Sequence, residues 1–216
     1  MLDLGAGSGR LTSGLAQVAG RVIAVELDTR LAAQLRGRWA NVAVVEGDAA
    51  AVVFPREPFR VVANLPFAST TAILRHLLDD PRAPLVRADL VVEWPVALKR
   101  SVPWPSTVNG VVWGAWYSTR LARRLPRTAF DPAPAVDAGV LVVERRRRGL
   151  VPTRRAADYR RFVGAGFRRG PRGVASGRTL RRLGVAGAAP RELDAHQWAA
   201  LYLASLHIRH EDVTHA

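Results

Sequence analysis

Short apolar runs alternate with helical stretches over the first two thirds of the chain, and this alternation restricts the fold more than any other sequence feature. The predicted strands are Arg21–Asp28, Val42–Asp48, Phe59–Asn64, Ala88–Trp94 and Asp137–Arg146. Helical stretches at Thr29–Ala40 and Ser69–Asp80 separate them, and the second opens with Ser/Thr residues that favour helix caps. This order predicts a parallel, doubly wound α/β sheet. Because ligands of such sheets bind at the carboxyl ends of the strands, we expect the polar ends of the first three strands to line one crevice.

The pattern changes after the fifth strand, since residues 150–216 show helical periodicity only. We therefore predict two domains, 1–148 and 149–216, the second small and all-helical. The net charge of +14 indicates a polyanionic partner. Residues 144–216 hold 16 basic and 6 acidic side chains, so the helical domain is the stronger candidate for nucleic-acid contact. The run Arg145–Arg148 is either a solvated strand end or an RNA phosphate contact.

Several classes of site are excluded or disfavoured. The chain has no cysteine, which excludes disulfides, thiolate metal sites and cysteine nucleophiles. No apolar run approaches the ~20 residues of a membrane span, and no signal peptide is evident, so we expect a cytoplasmic protein without membrane contact. The histidines are scattered, and His207 and His210, three apart without further ligands, do not predict a metal site. Trp113 and Trp116, also three apart, are expected in the core.

The glycine-rich stretch Leu2–Arg10 lies between an apolar strand end and a helix. Glycines allow a sharp turn and a close approach of the backbone to a ligand. Such a loop alone serves a dinucleotide, another nucleoside ligand or only a tight turn. Here the spacing is G-x-G-x-G after Asp3, which is typical of S-adenosylmethionine (SAM) sites rather than of dinucleotide sites.

Two acidic residues follow the next two strands. Glu26 lies at the end of the strand Arg21–Asp28, where a carboxylate accepts both ribose hydroxyls of a bound nucleoside. Alternatively, Glu26 is only a helix-start residue. Asp28 is the expected helix N-cap. Asp48 is predicted to accept the amino group of a cofactor adenine, with the backbone of Ala49 contacting the ring, and its alternative is again a helix cap.

The segment Asn64–Phe67 ends the strand Phe59–Asn64 with residue types that strands disfavour. The amide of Asn64 and the carbonyl of Leu65 could accept hydrogen bonds from an exocyclic NH2 group and so aim its lone pair at a methyl donor. Pro66 stiffens the turn and removes a competing donor, and Phe67 offers a flat face for a base. The alternative is a strand-ending turn with a core phenylalanine.

Taken in order, D-L-G-A-G-S-G, V-E-L-D, G-D-A and N-L-P-F resemble the ribosomal RNA adenine N6-methyltransferases, a family with KsgA-type and Erm-type members. Phe130–Val143 is similar to a further segment of that family, and Arg191–Tyr202 is similar to its helical C-terminal domain. The resemblance implies a Rossmann-like class I SAM-dependent methyltransferase with SAM as cofactor and a helical RNA-binding domain. The cofactor-binding residues that it implies are Asp3, Gly5, Ala6, Gly7, Gly9, Glu26, Leu27, Asp48, Ala49 and Asn64.

The same resemblance implies a catalytic segment and substrate contacts. The catalytic residues would be Asn64, Leu65, Pro66 and Phe67, and the substrate-binding residues would be Phe67, Phe130, Arg145, Arg146, Arg147 and Arg148. Phe67, followed by Ala68-Ser69-Thr70, is more similar to Erm-type than to KsgA-type proteins, which usually have tyrosine there. An Erm-type enzyme would methylate one adenine in the peptidyl-transferase loop of 23S rRNA and confer macrolide, lincosamide and streptogramin B resistance.

Two other functions stay open at this point, KsgA-type methylation of small-subunit rRNA and non-catalytic RNA binding on the same fold. The protein is expected to be a monomer. The family normally carries a further segment before the glycine loop that helps to cover SAM, whereas this sequence begins two residues before Asp3. If Met1 is the native start, we expect one wall of the SAM site to be missing.

Overall fold

A computed structural model describes residues 1–101 and 107–213 of the protein, with side chains up to residue 206. The strands are β1 (Leu2–Leu4), β2 (Val22–Glu26), β3 (Val42–Glu46), β4 (Phe59–Asn64), β5 (Leu85–Glu93), β6 (Tyr117–Leu125) and β7 (Ala138–Arg145). The helices are α1 (Arg10–Val18), α2 (Thr29–Leu35), α3 (Thr70–Leu78), α4 (Trp94–Ser101), α5 (Val108–Gly114), α6 (Ala156–Arg169), α7 (Gly177–Arg182) and α8 (Ala195–Val213).

The described strands form one sheet in the order β3-β2-β1-β4-β5-β7-β6. The pairs β3-β2, β2-β1, β1-β4 and β4-β5 are parallel, and β7 is antiparallel to β5. The carboxyl ends of β1, β2, β3 and β4 therefore meet at one edge of the sheet. This arrangement confirms the predicted α/β class, but the sheet is mixed and not all parallel, because β7 runs antiparallel to β5. The crevice that it creates is the edge where β1 and β4 lie side by side.

The sheet is anchored by apolar residues that water does not reach. Leu4, Val25, Val61, Ala63 and Leu90 are all 0% exposed. Burying one such Val or Leu side chain stabilises a fold by about 1.5–3 kcal/mol. The strands that carry the candidate site therefore rest on a packed core.

Two predicted helices are shorter in the structure than in the sequence analysis. The stretch Thr29–Ala40 ends as a helix at Leu35, and Gly37 follows with a φ of 75°, which a continuing helix does not allow. The stretch Ser69–Asp80 is helical from Thr70 to Leu78. Ser69 makes no side-chain cap, so the capping prediction is wrong there; its backbone lies in the αR region and not in the extended conformation usual for a capping residue. The Thr70 hydroxyl donates to the Pro66 carbonyl at 3.2 Å.

The edge strand β6 and the helix α4 had no counterpart among the predicted elements, whereas α1 is the helix expected after the glycine-rich stretch. β6 carries exposed arginines rather than a regular apolar alternation, which explains why its sequence does not read as a strand. Asp28 is the N-cap of α2, as predicted, and accepts from Arg30 N and Leu31 N at 2.8 and 3.1 Å.

The chain divides into two compact units. The sheet unit comprises Met1–Leu98 and Thr119–Arg145, and the helical unit comprises Lys99–Ser118 together with the chain from Arg146 onward. The predicted boundary at residue 148 stays a proposal for an independent domain. The contribution of Lys99–Ser118 to the helical unit was not predicted, since this segment lies far away in sequence.

Aromatic side chains form the core of the helical unit. Trp113 and Trp116 are 3% and 2% exposed, so their predicted core role is confirmed. Trp116 Nε1 donates to the Val151 carbonyl at 2.8 Å, and its ring meets that of Tyr159 edge to face at 5.9 Å between centroids. Among the described residues, no helix has the length and apolar character that crossing a membrane requires.

Candidate cofactor and substrate site

The glycine loop joins β1 to α1 at the carboxyl edge of the sheet. Gly5, Gly7 and Gly9 have φ angles of 77°, 56° and 82°, in the left-handed region that glycine adopts at little cost. The backbone N–H groups of Gly5 and Ala6 both donate to the Val25 carbonyl, at 2.8 and 3.0 Å. The loop is thereby fixed to β2, and its shape follows from the glycine spacing in the sequence.

The three glycines differ in what surrounds them. A Cβ on Gly5 would lie 3.0 Å from Pro66 Cδ, so the loop touches the turn that follows β4. A Cβ on Gly9 would overlap Leu35 Cδ2 of α2. A Cβ on Gly7 would meet nothing within 4 Å. Gly7 therefore borders open space, while Gly5 and Gly9 are packed against the protein.

The carboxylate of Glu26 is bound on both oxygens. Oε2 accepts from the N–H of Gly7 at 2.7 Å, and Oε1 accepts from the N–H of Asp28 at 2.9 Å. Glu26 is only 8% exposed, whereas the next residue, Leu27, is 69% exposed. Each carboxylate oxygen can accept a second bond, so the group holds the loop and keeps acceptor capacity for a ligand hydroxyl.

Asp3 is a buried acid, with 1% of its surface exposed. Its Oδ2 accepts a 2.6 Å hydrogen bond from the hydroxyl of Thr12, which is itself fully buried. Burial raises the pKa of the Asp3 carboxyl to about 6; the Thr12 bond opposes the rise and the charge of Glu26 adds to it. Asp3 therefore lies beneath the glycine loop, bonded to α1.

Asp48 follows β3 by two residues and is exposed. Its Oδ1 accepts from the N–H of Ala50 at 2.8 Å, which closes a local turn, and Ala49 is buried. The carboxyl edge of the sheet thus presents Asp48 and the apolar side chain of Leu27 to solvent, on strands that neighbour the glycine loop.

The turn Asn64–Phe67 has a mixed arrangement. Asn64 is exposed at the end of β4, and within the described part of the chain its side-chain amide has no hydrogen-bond partner. Leu65 is buried and its N–H donates to the Val91 carbonyl at 3.0 Å. The Pro66 carbonyl accepts from Ser69 N and Thr70 Oγ1, and Phe67 is half-buried. Backbone hydrogen bonds of Leu65 and Pro66 therefore fix the turn, while the side-chain amide of Asn64 stays available to a ligand.

Phe130 follows a single 3-10 turn, Arg127–Ala129, and is half-buried. No ring contact joins it to Phe67 among the described side chains. Phe67 and Phe130 both belong to the sheet unit. Their rings do not stack on each other in this structure.

The four arginines of Arg145–Arg148 have different surroundings. Arg145 donates to the carbonyls of Leu85 and Pro81, at 2.6 and 3.0 Å, and also to that of Ala83. Arg146 Nε donates to the Gly114 carbonyl at 2.9 Å. Of the four, only Arg147 and Arg148 are exposed. The geometry thus does not support RNA contact for Arg145 and Arg146, whose guanidinium groups bind backbone carbonyls.

Two contacts in and around the glycine loop could not be predicted from the sequence. Thr12 has no motif around it; only its burial on α1 marks it as the partner of Asp3. Arg38 Nη1 donates to the Ser8 carbonyl at 3.1 Å, and its guanidinium lies 4.5 Å from the centre of the Trp39 ring. Neither contact has a signal in local sequence, since each joins separate elements.

No group of three or more His, Asp or Glu residues that could hold a metal occurs among the described residues. His207 and His210 lie beyond the side chains that the structure describes.

Comparison with known proteins gives a consistent result. The model of the ribosomal RNA adenine dimethylase family matches residues 1–181. The mycinamicin-resistance protein MyrB of Micromonospora griseorubida is 39% identical over 94% of this chain and 68% of its own length. An rRNA adenine N-6-methyltransferase of Corynebacterium diphtheriae is 36% identical over 85% of this chain and 72% of its own length.

Among solved structures, the 23S rRNA methyltransferase ErmE has a TM-score of 0.80 at 27% identity. The match covers 94% of this chain and 88% of that one. Sequence and structure comparisons therefore extend over both units of the chain.

Proposed function

The chain belongs to the ribosomal RNA adenine dimethylase family, and from that premise we propose that it methylates N6 of one adenine in the peptidyl-transferase loop of 23S rRNA. Such a modification confers resistance to macrolide, lincosamide and streptogramin B antibiotics. The names of the two relatives and of the ErmE structure support this proposal. We further propose that the protein acts in the cytoplasm as a monomer, without a metal.

The residues at the carboxyl edge of the sheet fit SAM as the methyl donor. Open space beside Gly7 leaves room for a ligand against the backbone. Glu26 has remaining acceptor capacity for the ribose hydroxyls, Leu27 offers an exposed apolar side chain to the adenine, and Asp48 could accept the adenine amino group. Gly5, Ala6 and Gly9 shape this cradle, and Asp3 supports it from below.

The chemistry of the turn after β4 suits an adenine amine. SAM, when bound, supplies an electrophilic methyl group on a good leaving group. The amide oxygen of Asn64 and the carbonyl oxygen of Leu65 each accept a hydrogen bond from one N6–H, which directs the nitrogen lone pair away from the ring system. Neither oxygen takes a proton, so the proton that N6 loses passes to water, which reaches the exposed Asn64. Positioning therefore contributes most of the catalysis.

The base must leave its stack to reach this turn. Phe67 offers a half-exposed aromatic face beside Asn64 for the extruded adenine, and Phe130 is proposed as a second wall. Arg147 and Arg148 remain proposed phosphate contacts, since their guanidinium groups are exposed.

One observation carries the proposal: Pro66 of the N-L-P-F turn lies 3.0 Å from the Cβ position of Gly5, so the acceptor pair and the glycine loop adjoin each other. The nearest alternative is KsgA-type methylation of small-subunit rRNA, which phenylalanine at position 67 disfavours. A non-catalytic RNA-binding protein is the alternative of another class.

The test is methyl transfer from radiolabelled SAM to protein-free 23S and 16S rRNA, with the modified base mapped by primer extension. We expect one labelled adenine in the 23S peptidyl-transferase loop and loss of label in Asn64→Ala. Label confined to 16S rRNA would assign the protein to the KsgA-type members. SAM binding by calorimetry without label in either RNA would contradict the proposed activity.

A further inference from the structure

A cavity of about 840 Å³ lies within the helical unit, and none of the proposed cofactor-binding, catalytic or substrate-binding residues lines it. It is bounded by α6, by the 3-10 turn Pro171–Gly173, by the start of α7 and by α8. The cavity opens to solvent, and its volume falls in the range of small-molecule binding sites. The cavity therefore lies in the most basic part of the chain.

Arginine dominates the rim of this cavity. The lining includes Arg155, Arg161, Arg169 and Arg172 against a single acid, Asp158. Asp158 is occupied by Arg161 and, at 3.8 Å, by Arg155. In the described part of the chain, Arg169 and Arg172 have no hydrogen bond or ion pair. Two exposed guanidinium groups without partners form a suitable receptor for phosphate.

The two unpaired arginines are held close together by the backbone. Arg169 ends α6, and Arg172 lies in the next turn. A Cβ on Gly173 would lie 2.6 Å from the Cβ of Arg169, so the turn packs directly against the helix end. Pro171, the first residue of that turn, is buried. The backbone that carries both arginines is therefore packed in place at the end of α6.

The floor of the cavity is aromatic and apolar. The half-buried ring of Phe162 meets the ring of Tyr202 at 5.4 Å between centroids, and Val174 also lines the cavity. The hydroxyls of Ser176 and Thr179 line the same cavity, with Ser176 exposed. An aromatic floor with a cationic rim and hydroxyls matches an unpaired nucleotide, since the base stacks and the phosphate pairs with arginine.

We propose that this cavity binds one unpaired nucleotide of the RNA substrate, with its base against Phe162 and its phosphate between Arg169 and Arg172. The inference rests on the proposed function, because it takes RNA as the substrate. The helical unit then contributes a defined nucleotide site in addition to a diffuse positive charge.

The test compares two matched double variants of the full chain. Arg169→Gln/Arg172→Gln removes two charges from the cavity. Arg178→Gln/Arg191→Gln removes two exposed charges from the same unit that do not line it. The affinity for the 23S peptidyl-transferase-loop RNA is measured against salt concentration, and melting temperatures confirm that both variants fold.

The cavity variant is expected to lower the salt dependence, the magnitude of the slope of log K against log salt, by about 0.7–0.9, because the two arginines share one phosphate contact. The control pair is expected to lower it by less than about half of that. In methyl transfer, the cavity variant is expected to raise KM for RNA and leave kcat and KM for SAM unchanged. Ultraviolet crosslinking of wild type is expected to attach a nucleotide to the peptide that contains Phe162.

Equal slopes for the two double variants, or a crosslink absent from the Phe162 peptide, would overturn the inference. So would a cavity variant that keeps its RNA affinity but loses binding of a phosphoserine peptide, which would assign the cavity to a protein partner. Methyl transfer by wild type separates the two proposals. Label in 23S rRNA with equal slopes rejects only the cavity site, whereas cavity-dependent RNA binding without label rejects only the proposed reaction.

Discussion

The hydroxyl of Thr12 donates a 2.6 Å hydrogen bond to Oδ2 of Asp3, and neither residue is more than 1% exposed. This bond joins the end of β1 to α1 beneath the glycine loop. It places a titratable carboxyl where its charge is poorly solvated, and so makes the stability of the sheet unit depend on pH and on one hydroxyl.

The pH dependence has a definite sign. Burial raises the pKa of Asp3 from 3.8 to about 6, so between these values the folded protein holds a proton that the unfolded chain has lost. The contribution of Asp3 to the free energy of unfolding therefore falls as pH rises through this window. Asp3→Asn is expected to be more stable than wild type by up to about 3 kcal/mol at pH 7, with the difference vanishing below pH 4. Urea unfolding of both proteins from pH 4 to 7.5 measures this, and a pH-independent difference would contradict it.

Removing the Thr12 hydroxyl is expected to destabilise the fold. Thr12→Val leaves the buried Asp3 carboxyl without its side-chain donor, which costs about 1–3 kcal/mol. Thr12→Ser keeps the donor and serves as the control. Unfolding free energies at pH 7 should rank wild type and Thr12→Ser above Thr12→Val; equal values for the two variants would show that the bond contributes nothing.

Alanine at two glycines is expected to have separable effects. Gly9→Ala places a methyl group onto Leu35 in addition to the left-handed backbone, whereas Gly7→Ala meets open space and carries only the backbone cost of about 1–2 kcal/mol. Gly9→Ala should therefore lose more stability than Gly7→Ala. Gly7→Ala, which fills the space offered to a ligand, should lose SAM affinity. Thermal unfolding and calorimetry with SAM measure both, and identical losses for the pair would contradict the assignment of packed and open glycines.

Asn64→Ala is expected to affect catalysis and not folding. The side-chain amide is exposed and makes no bond within the described part of the chain, so its loss should leave the melting temperature unchanged. A hydrogen-bond acceptor that positions the reacting group is worth about 100-fold in rate by analogy with other preorganised groups. Single-turnover methyl transfer measures the change. A variant that folds and retains the wild-type rate would remove Asn64 from the catalytic residues.

Two neighbouring arginines are expected to behave in opposite ways. Arg145→Gln removes the hydrogen bonds to the carbonyls of Leu85 and Pro81 and should lower the free energy of unfolding by about 1–3 kcal/mol. The salt dependence of RNA binding should change little. Arg148→Gln should leave stability unchanged and lower that salt dependence by about 0.7–0.9 if it contacts a phosphate. Urea unfolding and salt titrations of both variants decide this, and the reverse pattern would restore Arg145 as an RNA contact.

The parts of the structure that the sequence predicted well are those with local signals. The glycine spacing, the apolar runs and the Asn64–Phe67 turn each carry their information within a few residues, and the fold and family that they indicate are confirmed. Glu26 was placed correctly at the end of β2. Its bond to Gly7 was not predicted, because it depends on the loop turning back over the sheet.

The parts that could not be predicted depend on contacts between distant segments. The strand β6 forms beside β7, although three of its nine residues are arginines and five are exposed. Arg145 belongs to a basic run whose local sequence suggests solvent exposure, and only the approach of Pro81, Ala83 and Leu85 gives its guanidinium three acceptors. Tertiary packing overrides local pattern at such positions.

The helical unit is assembled from two separate lengths of chain, and this limits how the protein can be divided. A cut after residue 148 would leave Lys99–Ser118 attached to the sheet unit, with Trp113 and Trp116 stripped of the partners that bury them. Trp116 would lose the Tyr159 ring and the Val151 carbonyl. Two indole rings exposed to solvent side by side form an apolar patch that promotes aggregation. A gene fusion or fragment study that treats the C-terminal third as a removable module would therefore yield an insoluble remainder, unless the segment preceding β6 is removed with it.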